Sequence, residues 1–183
     1  MENQLPIRKP NRIEEYDYSQ NGAYFITICT QDRKKILSKI TVGTGVLDCP
    51  HIELLPHGEI ADKYIRQLND FYDHISVDQY AIMPDHIHIL VDISAKNSLS
   101  DFVKKIKQES SYLIARHPDV RLWDGWEEGY SAFTYSAKDI KTVTEYIINQ
   151  KEHHKRVSFI DEYRAWLIEM GVSPDEPYFP KLD

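Results

Sequence analysis

His86 and His88 stand one residue apart in Tyr80-Ala81-Ile82-Met83-Pro84-Asp85-His86-Ile87-His88-Ile89-Leu90-Val91. On a β-strand, where side chains alternate between faces, this spacing puts both imidazoles on one side while Ile87 and Ile89 turn to the other, into a core. Two imidazoles on one face can hold one metal ion. A second constellation, Tyr146-Ile147-Ile148-Asn149-Gln150, follows about sixty residues on in a segment that reads as helix. A tyrosine and a glutamine four apart share a helical face, so the two segments together offer a metal site and a nucleophile.

A metal held by His86, His88 and one more ligand keeps positions open for water or substrate, which is the pattern of a catalytic rather than a structural site. Gln150 suits the third place because its amide oxygen is neutral and leaves the cation's full charge for an anionic phosphate. Such a cation polarises a phosphodiester and stabilises the charge building on its oxygens. Tyr146, one helical turn before Gln150, is then placed beside the same phosphate. Its phenol, with an ordinary pKa of about 10, needs a cationic neighbour or a base to ionise. Attack leaves a phosphotyrosine and a free hydroxyl on the departing strand. The phosphodiester's energy is retained, so religation needs no nucleotide cofactor. Twelve tyrosines are present, and Tyr146 is singled out by its coupling to Gln150. Strand alternation turns Asp85 away from the histidine face and makes it a turn residue or a support behind a ligand. His153 and His154 compete as ligands; adjacent on a helix they diverge, but His153 reaches the site from the face of Tyr146 and Gln150.

These residues need elements to hold them. Tyr24-Phe25-Ile26-Thr27-Ile28-Cys29-Thr30 is rich in β-branched and aromatic residues and predicts a strand. Residues 33 to 56 fit a hairpin, and Ile60, Tyr64, Leu68 and Phe71 predict a helix over 58–71. Residues 77–83 and 86–93 predict two strands, or one long strand bent at Pro84. Ser98 with Asp101 opens an amphipathic helix that Pro118 closes. The aromatic run Trp123, Trp126, Tyr130, Phe133 and Tyr135 predicts a last strand within 121–136, its rings serving as core or subunit contact. Ile140, Val143 and Ile147 give the helix over 138–154 a buried stripe, with Tyr146, Gln150 and His153 on the neighbouring one. Ser158 and Asp161 start a further helix that ends at Gly171. The order implies an α+β sandwich, one antiparallel sheet with helices packed against it. Residues 1–20 read as an extended arm and 21–183 as a single domain.

With 183 residues the chain buries a sizeable core without staples. Its two cysteines, Cys29 and Cys49, form no Cys-x-x-Cys pair; Cys29 reads as a core thiol, and both fit a reducing cytoplasm. No apolar run approaches the roughly 20 residues of a membrane span, and the N-terminus does not read as a signal peptide. A net charge of −7 argues against non-specific coating of nucleic acid. Positive charge gathers locally: Lys104, Lys105, Lys107 and Arg116 outnumber Asp101 and Glu109, and residues 138–156 carry a similar excess, while the segment after Phe159 is acidic. A local basic groove or a solvated helix face both fit these lysines.

The chain resembles the single-tyrosine HUH transposases of insertion sequences and their REP-associated relatives. The resemblance rests on the Tyr-Phe-Ile-Thr strand followed by Arg33, Met83-Pro84-Asp85-His86-Ile87-His88, the Leu99–Ser110 helix with Lys107 and Ser110, Leu122-Trp123 leading to Gly129-Tyr130-Ser131-Ala132-Phe133, Tyr146 to Gln150 with His153-His154, and Glu162-Tyr163. It implies a ferredoxin-like or RRM-like antiparallel sheet, with His86, His88 and Gln150 as ligands of Mg2+ or Mn2+ and Tyr146 as nucleophile. It also implies a homodimer, with the sheet extended across it, acting on single-stranded DNA hairpins. Family members often carry asparagine where Asp85 stands. A catalytically retired hairpin-binding regulator and an unrelated metal-dependent phosphodiesterase are the alternatives.

Overall fold

The computed structural model describes residues 20–41, 51–94, 98–135 and 140–153, but not the side chains of residues 40, 41, 51, 135, 140 and 149–153. The arm over 1–19, Cys49, His154, the helix expected from Ser158 and the acidic C-terminal segment lie outside the described residues. Strand β1 (Gly22–Cys29) runs through the middle of a four-stranded sheet of order β4-β5-β1-β6, formed with β4 (Ile75–Ile82), β5 (His86–Ile93) and β6 (Ser131–Tyr135). Every neighbouring pair is antiparallel. The hairpin β2 (Ser38–Thr41) and β3 (His51–Leu54) forms a separate two-stranded sheet.

Helices α1 (Pro56–Arg66) and α3 (Leu99–Arg116) make the two crossovers, so the succession β1-α1-β4-β5-α3-β6 is the βαββαβ of a ferredoxin-like fold, as the resemblance implies. Pro56 suits its place in the first turn of α1, where its missing N–H has no partner to lose. The expected helix over 58–71 is instead broken: Gln67 N–H bonds back to Tyr64 and closes α1, and a short α2 (Leu68–Phe71) follows. The capping of α3 is as expected. Ser98 Oγ accepts from Asp101 N–H and donates to its carboxylate.

Alternation gives the sheet two distinct faces. Tyr24, Ile26 and Ile28 of β1 lie beside Val91, Ile89 and Ile87 of β5, and this face packs on Ala61, Ile65 and Leu68 and on Phe102, Val103 and Ile106 of α3. The other face carries Phe25 and Thr27 of β1 opposite Leu90 and His88 of β5, with Cys29 opposite His86. Helix α4 (Ile140–His153) lies over it against β4 and β5, with Val143 and Ile147 buried.

Of the two readings of this stretch, residues 75–93 take the first, two strands, here paired as a hairpin: Met83 N–H bonds to His86 C=O at 2.9 Å, while the carbonyls of Pro84 and Asp85 accept from Leu37 and Thr30. The last strand follows a loop, as expected, and spans Ser131–Tyr135. The residues before it leave extended geometry at Leu122 (φ 62°) and Gly125 (φ 102°), and Trp126 makes a single bridge to Thr30.

Candidate active site

The register of β1 and β5 sets the site. His86 and His88 are almost wholly buried, and their Nε2 atoms stand 3.1 Å apart. The other nitrogen of each ring has its own partner: Asp85 Oδ1 lies 2.6 Å from His86 Nδ1, and Thr27 Oγ1 lies 2.8 Å from His88 Nδ1. The His88 ring stacks on Phe25 with centroids 5.0 Å apart. Both imidazoles are thus oriented from behind, as metal-binding histidines usually are.

Asp85 is itself tied down, since Arg33 Nε lies 3.3 Å from its Oδ2 and its backbone carbonyl accepts from Thr30 N–H and Oγ1. Asp85 precedes β5 in the hairpin loop, so strand alternation does not govern it and its carboxylate turns to His86 rather than away. Burial works to raise the Asp85 carboxyl, but the hydrogen bond from His86 and the positive charge of Arg33 outweigh it and hold the carboxyl below its usual range. Burial lowers the His86 imidazole against the pull of Asp85, favouring the neutral form that a metal ligand requires. Arg33 and the preceding Asp32 both have positive φ, 53° and 55°, a strained stretch that aims the guanidinium at Asp85 and at Cys29 Sγ. Cys29 is half-buried at the rim rather than in the core, and burial pushes its thiol up to about 11 despite Arg33.

Tyr146 projects from α4 toward this pair. Its ring stands edge-on to Phe25 and to His88, with centroid distances of 6.0 Å and 6.2 Å. Gln150 and His153 lie further along α4, and their side chains are outside the described residues. Among the described residues no three His, Cys, Asp or Glu side chains gather as a metal cluster. The two histidines nonetheless fit a cation: nitrogens about 2.1 Å from one ion and at right angles are about 3.0 Å apart, close to the separation seen.

The basic residues of α3 lie elsewhere, because α3 packs on the opposite face of the sheet. Lys107 donates to the carbonyls of Glu127, Glu128 and Gly129 and so holds the loop before β6. The Lys105 ammonium sits 4.7 Å over the Tyr72 ring, Arg116 packs on and donates to Tyr112, and Lys104 is exposed. Sequence reasoning missed the roles of Thr27, Phe25 and Arg33. The available signal was a threonine breaking an otherwise apolar strand, but its partner depends on the β1–β5 register.

A ferredoxin-like sheet with a convergent histidine pair on one face, covered by a helix that carries a tyrosine, defines the single-tyrosine HUH class. The chain belongs to the IS200-like transposase family, whose model, described as "Transposase IS200 like", matches residues 18–150. It is 29% identical over 102 residues to the ISDra2 transposase TnpA of Deinococcus radiodurans, a match covering 52% of this chain and 73% of that protein. An uncharacterized protein of Haemophilus influenzae is 26% identical over 86 residues, covering 47% of this chain and 44% of the relative. Among solved structures, a REP-associated tyrosine transposase bound to a REP hairpin superposes with a TM-score of 0.50 at 16% identity, covering 93% of each chain. A putative transposase from Deinococcus radiodurans gives 0.46 at 22% identity, over 75% of this chain and 97% of that one. Among the described residues no helix is long and apolar enough to cross a membrane.

Proposed function

We propose that this chain cuts and rejoins single-stranded DNA at hairpin-flanked ends through a 5′-phosphotyrosine on Tyr146, with His86, His88 and Gln150 holding Mg2+ or Mn2+. The observation that carries this reading is the convergence of two buried Nε2 atoms at 3.1 Å beneath the ring of Tyr146 on the same chain. When bound, the cation supplies Lewis-acid stabilisation of the phosphate's developing charge. The chain's own residues do the remaining work. Thr27 and Asp85 orient the imidazoles, Phe25 and His88 flank the tyrosine ring, and α4 holds Tyr146 over the histidine face for in-line attack on phosphorus. The leaving 3′-oxygen departs as a hydroxyl, and the reverse attack by such a hydroxyl rejoins a strand without a nucleotide cofactor. The REP hairpin bound by the solved relative makes a DNA hairpin the first substrate to try. A homodimer, with the sheet extended across it, completes the reading; among the described residues β4 and β6 are the edge strands of the four-stranded sheet.

The test is a labelled single-stranded hairpin incubated with Mn2+ and resolved on a denaturing gel. A covalent protein–DNA band with release of a free 3′-hydroxyl strand is the expected result. A phosphate end without an adduct indicates a phosphodiesterase, and binding without cleavage indicates a retired regulator.

A further inference from the structure

Asp32 and Arg33 stand consecutively at φ 55° and 53°, a region that L-residues seldom adopt, least of all two in succession. Such a pair persists only where its surroundings over-determine it. Within the turn, Arg33 N–H bonds to Thr30 C=O at 3.0 Å, and Thr30 Oγ1 donates to Lys34 C=O at 2.8 Å. From outside, two backbone bonds flank the Thr30–Trp126 bridge: Gln31 N–H donates to Gly125 C=O at 2.9 Å, and Glu127 N–H donates to Cys29 C=O at 2.8 Å. Lys34 also pairs with Asp124. This outside segment is fixed in turn to α3, since Trp126 Nε1 donates to the buried Ser110 Oγ at 2.9 Å and Lys107 holds the carbonyls of residues 127 to 129.

Gly125 has φ 102°, and a Cβ there would meet no atom beyond its chain neighbours within 4 Å. The glycine is therefore needed for its conformation rather than for space, because that φ aims its carbonyl at Gln31. We infer that Gly125 is a positioning residue for the cleavage reaction: its turn clamps Asp32 and Arg33 in the left-handed conformation and so keeps the Arg33 guanidinium on Asp85. Released from the clamp, the pair relaxes to ordinary negative φ. A change of roughly 115° at the Arg33 backbone then carries the guanidinium away from the carboxylate, whose Oδ2 lies 3.3 Å from Arg33 Nε in the clamped state. The clamp stands on the backbone geometry alone, and its bearing on the reaction rests on the function proposed above.

The clamp is read without metal or DNA from the Arg33 Nε–H signal in 1H–15N spectra, which is protected from solvent exchange while it bonds Asp85. Gly125→Ala should abolish that protection, and adding Asp32→Gly, which adopts positive φ without strain, should restore it in part. Protection that survives Gly125→Ala, or a loss that Asp32→Gly leaves unrepaired, overturns the inference. The effect on the reaction is read from the rate of covalent adduct formation with a DNA hairpin and Mn2+, beside the hairpin Kd. Gly125→Ala and Arg33→Lys should each slow the adduct about 10-fold with Kd unchanged, and the double variant should be about 10-fold slower rather than about 100-fold. Losses that multiply give Gly125 a general structural role and overturn the positioning. A wild-type chain that forms no adduct overturns the function proposed above, and the Arg33 signal then decides the clamp by itself.

Discussion

Replacing Lys107 by methionine keeps the aliphatic stem and removes only the charged donor that holds the loop before β6. In the structure the ammonium reaches the carbonyls of Glu127, Glu128 and Gly129, and lies 5.7 Å from the Tyr130 ring centroid. A hydrogen bond to a charged group contributes about 1.5–3 kcal/mol. Three bonds to one half-exposed ammonium do not add, since water replaces part of each, so Lys107→Met should lose about 2 kcal/mol in all. For a chain of this size that is a fall in Tm of about 4–8 °C. Urea denaturation gives the stability, and hairpin-DNA binding measured across a salt series gives the electrostatic contribution. Lys104→Met is the control on the same helix, an exposed lysine whose loss should leave stability unchanged. A Lys107→Met variant as stable as the parent, with a salt slope lower by about 0.7, would instead place Lys107 on a single-strand phosphate and overturn its role in holding the loop.

Three further outcomes follow from local geometry. A Cβ at Gly58 would stand 2.0 Å from the Leu37 carbonyl oxygen, so Gly58→Ala should lose about 2 kcal/mol in urea denaturation despite its better helix propensity. Leu122, 88% exposed at φ 62°, should tolerate asparagine with a gain of about 0.5–1 kcal/mol, because asparagine accepts the left-handed region; a loss on denaturation would show that its side chain supports the loop. The Cys29 thiol, pushed up to about 11 by burial, remains protonated at pH 8, so iodoacetamide mapped by peptide mass should modify it far more slowly than in the unfolded chain and faster as pH rises toward that value. Equal rates in the folded and unfolded chain at pH 8 would contradict the burial argument.

Patterns that a single strand or helix writes into itself were legible. The two-residue period placed His86 and His88 on one face, and the 3.6-residue period put Val143 and Ile147 inward with Tyr146 beside them. The serine–aspartate cap also marked the start of α3. Features set by partners distant in sequence were not legible. That Thr27 backs His88 depends on the register of strands 61 residues apart, and the turn of Asp85 toward His86 depends on the loop that Thr30 and Leu37 hold. The lysines of α3 read as one basic cluster along the chain, but Lys107 belongs to a loop and the whole helix packs on the face away from the histidines. The break of α1 at Gln67 left no apolar signal, because Leu68 and Phe71 continue the helical spacing across it.

In the proposed reaction Tyr146 attacks the phosphate. The most direct measurement is to incubate the protein with a single-stranded DNA hairpin and Mn2+, digest the covalent product, and locate the nucleotide-bearing peptide by mass spectrometry. The nucleotide is expected on Tyr146, with no adduct in Tyr146→Phe and hairpin binding intact. An adduct on another residue, or one that persists in Tyr146→Phe, contradicts that reaction.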